Sequence, residues 1–391
     1  MPDQPYLLYG AYASYYTAKV RCYLRKKGIP FAERLPSDPT FREVVRPTSG
    51  NHRIPQILAP DGEVIQDSVA IVDALEKVFP DVPAHPSTPC QRLFVHLMEL
   101  LGSEGLVTLA WKHRWLFEEN IPFITRDFGR TFQPQGDDQA LMKYGQLIAD
   151  RMTSYGLPAM TPDVQQTLDR QYIALLDRLE AHFIDHPYLL GGHPSQADYS
   201  IMGALHAHMG RDPAGLRQLQ LHGPRTFRWV EHMLTPEIQS PEWFDRDVTY
   251  PADDAIPDTA MVILTWLADE FAAPMVCHLH AFASACESGA VRAGEVIDSE
   301  HDQPLLAPQA ITVNGEFHAA HRAQVYAVWL AQRFQLHWAG LSPHDRAAAT
   351  PLFSAPSLAA LLHAPVGLTL CLLYTSPSPR DQRGSRMPSS A

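Results

Sequence analysis

The residues of this chain that could do chemistry stand at helix starts, ahead of a hairpin, and along one helical stretch. Ser14 opens a helical pattern that runs to Lys27. A hydroxyl there can cap the helix or donate to an anion held at the helix's positive end. Tyr12, Tyr15 and Tyr16 carry phenols that could supply the same hydrogen bond. Asp67-Ser68 opens a second helical pattern. Such a pair caps a helix, or its free N–H groups and the serine hydroxyl take a carboxylate while the aspartate faces a cation. Trp111, His113 and Trp115 can either line a pocket or pack a core. Cys277, His278 and His280 form an incomplete ligand set with no second pair at matching spacing, so no metal is expected. Cys22, two turns into the first helix, reads as a packed small residue.

The elements that must position these residues follow from periodicity. Tyr6 to Gly10 is an apolar run ending in glycine and predicts a buried strand. Helix Ser14–Lys27 closes at Gly28 and Pro30, and Phe31 to Leu35 returns as a strand, which makes a parallel crossover unit. Arg53 to Leu58, the turn Pro60-Asp61-Gly62, and Glu63 to Ile65 predict a hairpin, followed by a helix over 68–78. A linker with Pro80, Pro83, Pro86 and Pro89 marks a domain boundary. Beyond it, Leu93, Leu97, Leu100, Val107 and Trp111 recur at helical spacing. Leu168, Tyr172, Leu175, Leu179 and Phe183 form a cleaner stripe. Ser195 and Asp198 make a capping box for another helix. Helices are also expected near Thr259–Phe271 and Ala319–Phe334.

Bulk properties narrow the function classes. A chain of 391 residues exceeds one ordinary core. A net charge of −12, with no basic tract and no glycine-rich phosphate loop, gives no general attraction to nucleic acid or acidic membranes. No uncharged apolar run approaches the roughly 18–20 residues that span a bilayer. Five scattered cysteines without a CxxC pair do not make a disulfide framework, and the first residues do not read as a secretory signal. The cytoplasm is the expected compartment.

The order of these segments resembles the glutathione S-transferase family over about residues 6–235. Leu8-Tyr9-Gly10, Ser14, Lys19-Val20-Arg21 and Gly28-Ile29-Pro30-Phe31 resemble its first βαβ unit. Arg53-Ile54-Pro55-Gln56-Ile57 resembles its cis-proline loop, Gln66-Asp67-Ser68-Val69-Ala70-Ile71 its γ-glutamyl-binding turn, and Ser195 to Asp198 its C-terminal capping box. The resemblance implies an α/β thioredoxin-like domain (1–82), an all-α C-terminal domain (88–240) and an additional helical extension (250–370) like that of a bacterial subgroup. It implies glutathione as co-substrate, a small electrophile as second substrate, and a homodimer. Glutathione reacts through its thiolate, and Ser14 is the residue the resemblance assigns to that sulfur. Ile54, before a cis Pro55, would pair with the cysteinyl backbone. Asp67 and Ser68 would hold the γ-glutamyl end, Asp67 by facing its ammonium from its own site or across a dimer. Arg53 would meet the glycyl carboxylate. Tyr12, Tyr15, Trp111, His113 and Trp115 are the expected electrophile pocket. The rival readings are a non-catalytic binding module on the same fold and a thiol oxidoreductase, which would need a cysteine where Ser14 stands.

Residues 371–391 read differently. Cys371 to Asp381 and Ser385 to Ala391 resemble translations of the two ends of a common transposase-type sequencing adapter, with three codons between them. This segment is set aside from the fold, and on that reading Cys371 is not a thiol of the protein.

Overall fold

The computed structural model describes residues 4–154, 161–294, 297 and 324–372, together with the backbone of 309–313 and 316–321. The adapter-like segment beyond 372 lies outside the described residues. The first strand, β1 (Tyr6–Tyr9), leads through a short loop into α1 (Tyr15–Lys26), and β2 (Phe31–Arg34) returns parallel to β1. Gly10 is needed where the chain leaves β1, because a Cβ there would lie 2.2 Å from the Thr17 side chain. A π-helical turn, Phe41–Val45, and α2 (Arg46–Ser49) follow, neither of which the periodicity anticipates. Then β3 (Gln56–Leu58) and β4 (Val64–Gln66) pair antiparallel as a hairpin, and α3 (Ser68–Val78) packs back. The strand order is β2-β1-β3-β4, with β1 and β3 antiparallel. This is the thioredoxin-like sheet.

An all-α region follows. α4 (Pro89–Met98) and α5 (Val107–Trp115) form a helical run interrupted by a π-helical segment, Glu99–Gly105. α6 (Ile121–Phe132), α7 (Asp138–Ser154) and α8 (Pro162–His182) come next, the last burying the predicted Leu168-to-Leu179 stripe. α9 (Gln196–Met202) starts at the predicted capping box: Asp198 accepts the Ser195 N–H at 2.8 Å and the Leu189 N–H at 2.9 Å. α10 (Pro213–His222) and α11 (Pro224–Met233) close this region.

The extension begins with α12 (Asp258–Glu287), which continues through Pro274. This helix runs past the expected end at Phe271 to Glu287, and the extension differs from the sequence expectation at a second point. Glu316–His321 is a strand, β6, paired antiparallel with β5 (Gln309–Val313), so Ala319 does not begin a helix. The sequence signal is Asn314-Gly315 after Ile311-Thr312-Val313, a hairpin pattern that a helical reading passes over. The helix starts later, as α13 (Val325–Gly340), followed by α14 (Pro343–Ala349) and α15 (Pro356–His363).

The extension shares its core with the rest of the chain. Leu264, Phe282, Val328, Phe334 and Leu361 belong to the same buried cluster as Leu24, Val72, Leu97 and Leu175. Asp254, ahead of α12, accepts the Cys90 and Gln91 N–H groups at 2.7 and 2.9 Å and so satisfies two of the orphan donors at the start of α4. Gln332 of α13 stitches the end of the described chain, donating to the Val366 and Leu368 carbonyls and accepting the Leu370 N–H at 2.9 Å. Two helical runs, Pro89–Trp115 and Asp258–Glu287, have the length and apolar composition of membrane spans. The most apolar window is 89% buried in the first and 50% buried in the second.

Candidate functional site

Strand register brings the sequence-predicted residues to one end of the sheet. Tyr9, Gln56 and Gln66 stand side by side across β1, β3 and β4. Immediately beyond them lie the loop to Ser14, the Ile54-Pro55 bond ahead of β3, and Asp67-Ser68 after β4. The Ile54-Pro55 bond is cis. Gln56 shapes the chain before it, its amide donating to the Asn51 and Arg53 carbonyls at 2.9 and 2.8 Å. The Arg53 backbone N–H is held by the Asn51 side chain, and its side chain is exposed.

Ser14 is the N-cap of α1, half-buried, and its Oγ accepts the Thr17 N–H at 3.3 Å. Two buried arginines fix the loop that delivers it. Arg21 donates to the Ala11 carbonyl at 3.1 Å while gripping Glu33 with two nitrogens. Arg114 of α5 donates to the Ala13 carbonyl at 2.7 Å, with Asp212 as its buried counter-charge at 2.7 Å. Neither arginine stands out in the sequence as a site residue, because a buried bidentate arginine has no local spacing signature.

At the start of α3, Asp67 adopts φ 86° and ψ 139°, a region that side chains rarely occupy and that costs about 1–3 kcal/mol. Its Oδ1 accepts the Val69 and Ala70 N–H groups at 2.8 and 3.1 Å. Those two amides are therefore taken by Asp67, which narrows the donors of this turn expected to meet a carboxylate to those of Ser68. What remains open, among the described residues, is the Ser68 N–H and its hydroxyl. Ser68 is 1% exposed, and its Oγ has no hydrogen-bond partner among the described residues.

Around this turn the charge is unbalanced. Tyr16 donates to Glu104 at 2.9 Å, and Lys19 is bonded to Glu99 and to Ser103. Burial pushes the Glu104 carboxyl up to about 7, with Lys19 and the Tyr16 hydroxyl opposing and Glu99 and Asp67 reinforcing it. Burial likewise raises Asp67, against the Ala70 amide and Lys19. Glu99 and Glu104 lie on the π-helical segment, whose extra residue per turn turns both toward α1.

The expected pocket residues divide. Trp111 and Trp115, four apart on α5, share a face with Ala13, beside Ser14, in a cluster completed by Ile124, Ala149 and Phe128. Trp115 stacks on Phe128 at 5.8 Å. Tyr12 is 49% exposed and lies under the Arg21 guanidinium at 4.2 Å. Tyr15 and His113 are elsewhere. The Tyr15 hydroxyl donates to the Ser103 carbonyl at 2.7 Å, joining α1 to the π-helical segment. His113, half a helical turn from Trp111, packs its ring on Tyr172 at 4.7 Å inside the helical core. Cys22 is fully buried, and burial pushes its thiol up to about 12. Among the described residues, no three His, Cys, Asp or Glu side chains group as a metal site.

Two family models match this chain. Residues 8–83 match the glutathione S-transferase N-terminal domain and residues 162–232 its C-terminal domain. Both matched models describe domains of the glutathione S-transferase family, one at each end of the region that the thioredoxin-like sheet and the following helices form. A curated relative named a probable maleylacetoacetate isomerase, from Caenorhabditis elegans, is 29% identical over 111 residues. That stretch is 28% of this chain and 51% of the relative, so the match spans about half of the relative's length. Similar solved structures include a glutathione transferase from Phanerochaete chrysosporium, at 19% identity and TM-score 0.42, covering 60% of this chain and 98% of that one. Another is a glutathione S-transferase of Ceriporiopsis subvermispora in complex with glutathione, at 18% identity and TM-score 0.39, covering 59% of this chain and 98% of that one.

Proposed function

We propose that this chain, as a glutathione S-transferase family member, binds glutathione at the end of the sheet, holds its sulfur as thiolate beside Ser14, and transfers it to a small electrophile. The observation that carries the reading is the Ser68 hydroxyl, buried and unpartnered next to the Asp67 carboxylate. A buried polar atom without a partner costs free energy, and a ligand that supplies the partner removes that cost. The γ-glutamyl end of glutathione carries a carboxylate for Ser68 and an ammonium for Asp67. Ile54, before the cis proline, is the backbone partner for the cysteinyl unit, and Arg53 is the side chain for the glycyl carboxylate. The aromatic face of Trp111 and Trp115 with Tyr12 is the wall for the electrophile. The curated relative's name adds isomerisation to the reactions worth screening.

Retention of the purified chain on immobilised glutathione, released by free glutathione, tests the binding. A screen with alkyl and aryl halides, epoxides and unsaturated carbonyl compounds then tests the transfer. Retention without turnover of any electrophile would favour a non-catalytic binding module, and failure to be retained would reject the site.

A further inference from the structure

The extension reaches the same turn. α13 packs on α4 and meets α3 through its side chains. Arg333 donates to both carboxylate oxygens of Asp73, at 2.6 and 3.0 Å. Tyr326 lies seven residues before Arg333, two helical turns or about 10 Å along the same face, and Asp67 lies a comparable distance before Asp73 on α3. The pairing of Arg333 with Asp73 therefore brings Tyr326 to the level of Asp67 and Ser68. The ring of Tyr326 meets Tyr16 edge-to-face at 6.4 Å and lies against Trp329 at 5.6 Å. Its hydroxyl oxygen is buried and, among the described residues, has no hydrogen-bond partner of normal geometry, although it faces Asp67 closely enough to bear on that carboxyl.

Two buried hydroxyls, that of Ser68 without a partner and that of Tyr326 beside the Asp67 carboxylate, from segments more than 250 residues apart in the sequence, thus converge on the positive end of one helix. Each can donate to an anion. The carboxylates of Asp67 and Glu104 face the same region, where Lys19 is already committed to Glu99 and Ser103. A group carrying both a carboxylate and an ammonium, the free α-amino-acid headgroup, satisfies both sets at once. Resting on the glutathione reading above, we infer that Tyr326 of the chain's own extension contacts the α-carboxylate of the γ-glutamyl residue, so that the extension completes this end of the site in cis.

The test is calorimetric titration of wild type and Tyr326→Phe. The ligands are glutathione and its analogue with 4-aminobutyrate in place of the γ-glutamyl residue, which keeps the amine and lacks the α-carboxylate. Wild type should prefer glutathione. The variant should lose about ten- to a hundredfold of affinity for glutathione, as expected for a bond to a charged acceptor, and little for the analogue. Wild type that fails to bind glutathione overturns the underlying reading and the inference with it. Wild type and variant that bind glutathione equally, or a variant that loses equal affinity for both ligands, overturn the inference and leave that reading standing. A variant that fails to fold moves the test to wild-type hydrogen exchange. Glutathione should then slow exchange across residues 325–340 and the analogue should not, and equal protection by both overturns the inference.

Discussion

A serine at a helix start can use its lone pair and its proton for different partners. Capping by Ser14 uses an Oγ lone pair, which accepts the Thr17 N–H; holding a thiolate uses the hydroxyl proton. Ser14→Ala should therefore cost about 1 kcal/mol of stability from the lost cap and, separately, return the bound thiol toward its free behaviour. The ultraviolet thiolate absorbance of bound glutathione should titrate about one to two pH units below the free thiol in wild type and close to it in the variant, with Ser14→Thr restoring the shift. Coincident wild-type and Ser14→Ala curves would leave Ser14 as a cap alone. Asp67 also has two roles, separable by Asp67→Asn. Asparagine keeps the oxygen that accepts the Val69 and Ala70 N–H groups and tolerates positive φ, so α3 stays capped while the charge is lost. Glutathione affinity should fall about ten- to a hundredfold, the equivalent of roughly 1.5–3 kcal/mol, with the thermal midpoint nearly unchanged; equal affinity rejects Asp67 as the ammonium's partner. Ser14, Pro55, Asp67 and Ser68 were legible because each sits at a fixed offset from a strand or helix boundary. Tyr326, Glu104 and Arg114 were not, because their relation to that turn and loop exists only after distant helices dock.

Elements were legible wherever one period dominated a segment. β1, α1, the β3–β4 hairpin, α3, α8 and the capping box of α9 all have such a signal. The π-helical segment Glu99–Gly105 does not: Leu93, Leu97 and Leu100 keep helical spacing into it, and the inserted residue only re-aims the face that follows. α10 and α11 begin at Pro213 and Pro224, prolines that read as breaks in a sequence but stand at the first helical position, where the missing N–H costs nothing. The hold of α13 is a matter of element docking, and Arg333 is its polar anchor. Burial alone would raise the Asp73 carboxyl, yet the His85 hydrogen bond and the Arg333 charge hold it well below the usual carboxylate range. Arg333→Gln should destabilise by about 1–2 kcal/mol, between the ranges for exposed and buried pairs. It should also speed amide exchange in residues 325–340 more than in α8. Uniform acceleration across both helices would mean that the pair serves global stability and not the docking of α13.

At the scale of the whole chain, the buried histidines decide the response to acid. His182 has both ring nitrogens in hydrogen bonds, to Thr259 and to the Tyr188 carbonyl, and burial lowers its pKa to about 4. Burial lowers His193 to about 4 and His206 to about 3, and places His96 and His208 well below the ordinary value. In the unfolded chain these imidazoles take up protons near pH 6.5. Between pH 6.5 and about 4 the unfolded state then binds more protons than the native state, so stability is lost as pH falls. Glu104, Asp198, Asp67 and Asp212 oppose this, because burial raises all four, Glu104 to about 7 and Asp198 to about 6, and the native state holds their protons longer. Acidification relieves their cost to the native state, and the gain levels off once the unfolded carboxyls are protonated too, near pH 4. The lowered histidines outnumber the raised carboxyls, so the net sign is acid destabilisation, at about 1.4 kcal/mol per pH unit for each net proton. These histidines also join regions: His182 of α8 bonds Thr259 of α12, and His96 of α4 lies 5.7 Å from His337 of α13. Acid should therefore weaken the seams between the extension and the helical region along with the global fold. Urea midpoints measured at pH 7.5, 6.5, 5.5 and 4.5 should decline below 6.5, and His182→Gln should flatten part of that decline. A midpoint that holds or rises down to pH 5 would mean that the raised buried carboxyls outweigh the imidazoles.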